Sequence, residues 1–105
     1  MKRKNRKALE LLEELIGESV TFGLYLKSIR VSEGLSQSEF AAKLGISVQH
    51  LSNVENDRKH VSIERAEAWA KALGYPEAMF IQLSLQDQFQ RAGLEGYELT
   101  VKSAS

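Results

Sequence analysis

The 105-residue chain has no cysteine and one proline, Pro76. Lack of cysteine removes disulfides, thiolate metal sites and thiol nucleophiles together, and fits a reducing compartment. No apolar run approaches the roughly 20 residues that a membrane span needs. The N-terminus opens on charge, without the apolar core of a secretion signal. The expected location is therefore the cytoplasm, with no membrane partner. Net charge is missing as well, because 14 basic and 14 acidic residues cancel at pH 7. There is no Gly-rich phosphate loop, no Ser-His-Asp arrangement and no acid pair placed in an expected cleft. His50 and His60 have no Cys partner and no acid at ligand spacing, so no metal, no other cofactor and no enzyme activity are expected.

What is present is uneven. Residues 1–7 hold five basic groups (Lys2, Arg3, Lys4, Arg6, Lys7), and residues 8–21 hold only acids, Glu10, Glu13, Glu14 and Glu18. The stretch 22–62 is near balance and 63–105 is mildly acidic. Any electrostatic grip on nucleic acid must come from local patches, which implies modest affinity per monomer and hence a dimer. The basic run reads either as a minor-groove or phosphate arm or as a solubilising end.

Glycines at 17, 34, 45, 74, 93 and 96 divide the chain into helix-sized pieces. Leu9, Leu12 and Ile16 predict a short amphipathic helix over 8–16, and Phe22, Leu26 and Ile29 a second over 21–32. Ser36 and Glu39 form a capping-box pattern that starts a helix burying Phe40, Ala41 and Leu44 and ending at Gly45. Ser47 caps the next, about 48–56, with Leu51 and Val54 inward. Ser62 caps a helix to about 73, with Ile63, Ala66, Ala70 and Leu73 on one face. A last helix of about 77–91 places Ile81, Leu85 and Phe89 four apart. The tail Tyr97–Lys102 alternates apolar and polar with period two, the pattern of a half-buried strand. Trp69 and Tyr75 read as packing residues.

The informative stretch is QSEFAAKLGISVQHLSNVEN, Gln37 to Asn56. Two short helices crossing steeply need a small residue at the approach, Ala41, and a residue tolerant of positive φ in the turn, Gly45. The exposed face of the second helix carries Gln49, His50, Ser52, Asn53 and Asn56. A face chosen only for solubility is normally rich in Lys and Glu. This one has the short hydrogen-bonding side chains of a base-reading edge.

Residues 22–73, through FGLYLKSIR, GLSQSEFAAKLGIS, LSNVENDRK and SIERAEAWAKALG, resemble the lambda-type phage repressor and Cro family of helix-turn-helix domains. The resemblance implies an all-α fold: a five-helix lambda-repressor-like DNA-binding domain, here with an extra N-terminal helix and a short C-terminal β-strand. The expected organisation is a basic extension over 1–20, the helix-turn-helix domain over 21–74, and a C-terminal dimerisation segment over 75–105. By the same resemblance Val48, Gln49 and Asn53 read base edges in the major groove. Gln37, Ser47, His50, Arg58 and Lys59 meet the DNA backbone. Arg30 and Glu55 form a structural pair. The chain departs from the family at Val48, where polar residues are common, and at His60-Val61, where a basic residue and proline are frequent. Gln49 and Asn53 retain the alternative of solvated surface amides, and His50 that of a plain exposed polar residue.

Two functions follow. One is a sequence-specific transcriptional regulator, a repressor, binding double-stranded DNA as a homodimer on a palindromic operator. The other is an antitoxin whose ends outside 22–73 wrap a protein toxin while the same fold represses the operon.

Overall fold

The computed structural model describes residues 20–104, and within them the chain is all-α. Five helices follow one another: α1 (Phe22–Ser32), α2 (Gln37–Leu44), α3 (Val48–Glu55), α4 (Ile63–Leu73) and α5 (Glu77–Arg91). Each of the first four begins at a Ser or Thr whose side chain accepts a backbone N–H of the opening turn: Thr21, Ser36, Ser47 and Ser62. Such caps satisfy donors that the helix itself leaves unpaired. The Ser36–Glu39 box closes in both directions, with Ser36 N donating to Glu39 Oε1 at 2.8 Å and Glu39 N to Ser36 Oγ at 3.1 Å. The helix it starts ends at Gly45, whose φ of 72° and ψ of 30° lie in the left-handed region that only glycine enters freely. Only three residues, Gly45, Ile46 and Ser47, then separate α2 from α3.

One core joins all five helices. Phe22, Tyr25, Leu26 and Ile29 of α1 meet Phe40, Ala41 and Leu44 of α2, Leu51 and Val54 of α3, and Ala66, Trp69 and Ala70 of α4. The core runs on past residue 74, because Phe80 and Leu83 of α5 fill it, and Phe80 packs edge-on against both Phe22 and Tyr25 at 5.7 Å. Trp69 and Tyr75 are buried packing residues, and the Tyr75 hydroxyl hydrogen-bonds Glu33 at the end of α1. Ser84, also buried, donates to the Val61 carbonyl at 2.8 Å and ties α5 to the loop before α4.

The buried face of α5 is Phe80, Leu83 and Ser84, while Ile81, Leu85 and Phe89 lie half-buried beside it. One expectation needs correction. The C-terminal strand over Tyr97–Lys102 does not form, and no strand occurs among the described residues. Instead the tail turns back along α5: Val101 N donates to Gln82 Oε1 at 3.0 Å, and the Tyr97 ring stands edge-on to Phe89 at 5.7 Å. The alternation is real, with Leu99 and Val101 half-buried and Glu98, Thr100 and Lys102 exposed. A strand, however, needs a neighbouring backbone for its ladder, and a helix flank offers only side chains. The basic run 2–7 and the helix expected over 8–16 lie outside the described residues.

Candidate nucleic-acid interface

The site is built on α3 and the two elements that hold it. Leu51 and Val54 anchor α3 in the core, leaving Val48 (42% exposed) and Gln49 outside and Ser52 and Asn53 half-buried. Ser47 spends its hydroxyl on the N–H of His50, at 3.0 Å, so it acts as the helix cap. Gln49 Nε2 donates to Asn53 Oδ1 at 3.1 Å across one turn, and Arg58 Nε reaches the same oxygen at 3.4 Å. The outer face of α3 is thus a string of two amides ending in a guanidinium. The Gln49 Oε1 and Asn53 Nδ2 atoms make no hydrogen bond within the described residues. Together they offer an acceptor and donors, the complement a base edge requires.

Beneath this face lies an ion pair. Arg30 Nε donates to Glu55 Oε2 at 2.7 Å and Nη2 to Oε1 at 3.1 Å, a two-pronged contact, while Nη1 donates to the Leu35 carbonyl at 3.0 Å. Glu55 is only 4% exposed. Gln37, at the first position of α2, donates its Nε2 to Glu55 Oε1 at 3.0 Å. Glu55 therefore gathers α1, the turn after it, α2 and α3 at one point.

Cations flank the amide face. Arg58 and Lys59 sit in the turn after α3, both with backbone N–H groups on the Asn53 carbonyl, at 2.8 and 3.1 Å. His50 lies edge-on to the Trp69 ring at 6.2 Å, and burial, Lys59 and Arg65 together hold its pKa below the usual histidine value. The same surroundings favour the neutral form of His50 beside the cations of Lys59 and Arg65. Burial and the nearby Arg91 also lower the His60 pKa, against the opposing charge of Asp57. Among the described residues no group of three or more His, Cys, Asp or Glu is placed to hold a metal ion. No helix there is long and apolar enough to cross a membrane.

Three contributors escaped the sequence reading. Arg65, exposed in the first turn of α4, lies close enough to His50 to act on its charge. Gly23 is buried inside α1, where a β-carbon would stand 2.1 Å from the Val54 carbonyl oxygen and 2.6 Å from Asp57 Oδ1. Only a glycine lets α1 approach the end of α3 so closely. Asp57, with φ of 60°, is the single described non-glycine residue in the left-handed region. The cue for Asp57 was the Asn-Asp pair directly after a helix. Gly23 gave none, because its requirement is a contact distant in sequence.

Comparison with known proteins agrees with this geometry. No curated protein matches the chain. A solved structure described as a hypothetical transcription factor, NHTF, from Neisseria is similar at 28% identity and a TM-score of 0.50. The match covers 68% of this chain and 82% of that one. The helix-turn-helix family profile matches residues 26–80, more than half of the chain, with α2 and α3 at its centre. The chain belongs to the lambda-repressor/Cro-like helix-turn-helix family, a family of DNA-binding regulators.

Proposed function

We propose that the protein is a repressor that binds a palindromic operator as a homodimer, with α3 in the major groove. The observation that carries this reading is the uncharged amide string of exposed Gln49 and half-buried Asn53, on a helix whose other face is locked to the core and whose flanks are cationic. Amides in that position read adenine or other base edges, and the apolar Val48 beside them suits a thymine methyl. Gln37, Ser47, His50, Arg58 and Lys59 form the surrounding backbone contacts, and Arg65 joins them on charge and position. Neutral His50 serves as a hydrogen-bonding group there, without adding to the positive field.

A dimer fits because one amide face with few cations grips weakly, and two recognition helices about 34 Å apart enter successive major grooves. The face offered to a second copy is the half-buried row Ile81, Leu85 and Phe89 with exposed Leu94 and Tyr97. Selection of bound fragments from random duplex DNA tests the reading. The expected product is a two-fold symmetric site with half-sites about 10 base pairs apart, bound by two copies of the chain. Recovery of asymmetric or unrelated fragments, or a complex containing one copy, would reject the palindromic dimer.

A further inference from the structure

The turn that follows α3 is held from an unexpected direction. Asn56 closes the helix with φ of −100° and ψ of 14°, and Asp57 then swings to a φ of 60°. That swing returns the Arg58 and Lys59 N–H groups to the Asn53 carbonyl at 2.8 and 3.1 Å. A glycine would take the conformation without steric cost, so an aspartate there calls for a compensating contact. The contact is with Thr21, whose Oγ1 donates to Asp57 Oδ2 at 3.0 Å while accepting the Leu24 N–H at 3.1 Å. One hydroxyl therefore joins the start of α1 to the exit of α3. Gly23 makes room, since a β-carbon at that position would collide with the Asp57 carboxylate.

Around this junction lie Thr21, Asp57, His60, Asp87, Gln90 and Arg91, lining a cavity of about 220 Å³ between the exit turn and α5. Asp57 acts on the charge of both His60 and Asp87. An acidic residue directly before two phosphate-facing cations opposes DNA by Coulomb's law. Its presence there makes sense when its carboxylate does mechanical work on the α1 side of the turn.

We infer that Asp57 is a positioning residue for the DNA backbone contact: through Thr21 it fixes the direction in which Arg58 and Lys59 leave the recognition helix. The inference rests on the DNA-binding reading given above. It makes the phosphate register depend on a residue that touches no DNA.

Three variants separate this role from a surface charge and from general stability. Asp57→Gly keeps the backbone conformation and loses the latch. Asp57→Asn loses the charge but keeps both the left-handed tolerance and an acceptor for Thr21. Thr21→Val keeps the aspartate and removes its donor together with the α1 cap on the Leu24 N–H, so its exchange at Arg58 and Lys59 is read against that of the α1 amides. Amide hydrogen exchange of Arg58 and Lys59 is measured in the free protein, and the salt dependence of affinity is measured on a 20-base-pair random duplex, with Arg58→Ala in parallel. Asp57→Gly and Thr21→Val are expected to speed exchange at both amides by about fivefold and to lower the salt slope by about one unit. Asp57→Asn is expected to keep both values and bind as tightly as the parent or tighter. If Asp57 is only a surface acid, all charge-removing variants bind more tightly and exchange is unchanged, which overturns the inference. An unfolded Asp57→Gly leaves the decision to Thr21→Val. If Arg58→Ala and the parent show the same slope, there is no phosphate contact to position. The inference then falls, and exchange still speeded at both amides by Asp57→Gly and Thr21→Val shows that the DNA reading, rather than the latch, was at fault.

Discussion

The two ends of the molecule are held in different ways. Where α1 meets α3, a two-pronged buried ion pair, a backbone approach that only Gly23 permits and a hydroxyl latch act within one helix length. Where the tail meets α5, one hydrogen bond to the Gln82 side chain and one ring contact from a tyrosine that is 65% exposed do the holding. The first junction fixes α3, the helix proposed to meet base edges, through a buried carboxylate, a close backbone approach and an exposed hydroxyl contact. The second covers a helix flank with one half-buried hydrogen bond and one exposed ring. Rigidity is concentrated beneath the face that would meet DNA.

The contrast can be broken first at the ion pair. Arg30→Ala leaves the buried Glu55 carboxylate with Gln37 as its remaining side-chain partner. Removing one partner of a buried pair costs about 3–5 kcal/mol. The expected result in urea unfolding is a loss of that order, accompanied by weaker operator binding. A loss under about 1 kcal/mol would class the pair with exposed ones and undo the contrast.

A smaller effect is expected where α5 closes on the start of α1. Burial, first, and the neighbouring Asp57 charge push the Asp87 pKa up to about 6 from 3.8, against the Phe22 N–H it accepts and against Arg91. A raised folded-state pKa means that the native protein binds the proton more tightly than the unfolded chain. The stabilisation is therefore complete below about pH 4 and is lost as pH rises through about 6. Asp87→Asn is expected to be more stable than the parent at pH 7, by about 1–2 kcal/mol once solvent screening of this partly exposed group is allowed for, with the gap closing towards pH 4. Thermal unfolding at a series of pH values checks this. A constant gap would remove Asp87 as its source.

The tail should matter least to the fold. Deleting residues 94–105 removes the Val101 hydrogen bond and the Phe89–Tyr97 contact. About 1–2 kcal/mol is expected in denaturant unfolding. Molar mass in solution is expected to fall towards the monomer because Leu94 and Tyr97 leave the proposed dimer face. A larger loss of stability, with the dimer intact, would reverse the ranking of the two junctions.

How much of this was legible in the sequence follows from the range of the forces involved. The Ser36–Glu39 box, the Ser47 and Ser62 caps and the Gly45 turn are local, and each appears at its expected residue. The boundaries of α5 were also legible, with Gly74 and Pro76 ahead of it, and the spacing of Ile81, Leu85 and Phe89 marked a row that is half-buried. That Phe80 and Leu83 form the buried face depends on where α1 lies, which spacing alone does not carry. The tail pattern marked Leu99 and Val101, which are half-buried, but not the exposure of Tyr97, and the strand it predicted is replaced by contacts with a helix flank. Pairing of Arg30 with Glu55 was anticipated through the family resemblance. That Gln37 shares Glu55, and that Gly23 and Asp57 shape the exit of α3, depends on contacts 18 or more residues apart, which periodicity cannot reveal.

The claim that α3 reads bases through its amides is tested most directly by titrating parent and Asn53→Ala protein on the selected operator and on a random duplex of equal length. Losing a base contact should cost about 1–3 kcal/mol on the operator and distinctly less on the random duplex. Equal losses on the two duplexes, or none on either, would contradict base readout by this face of the helix.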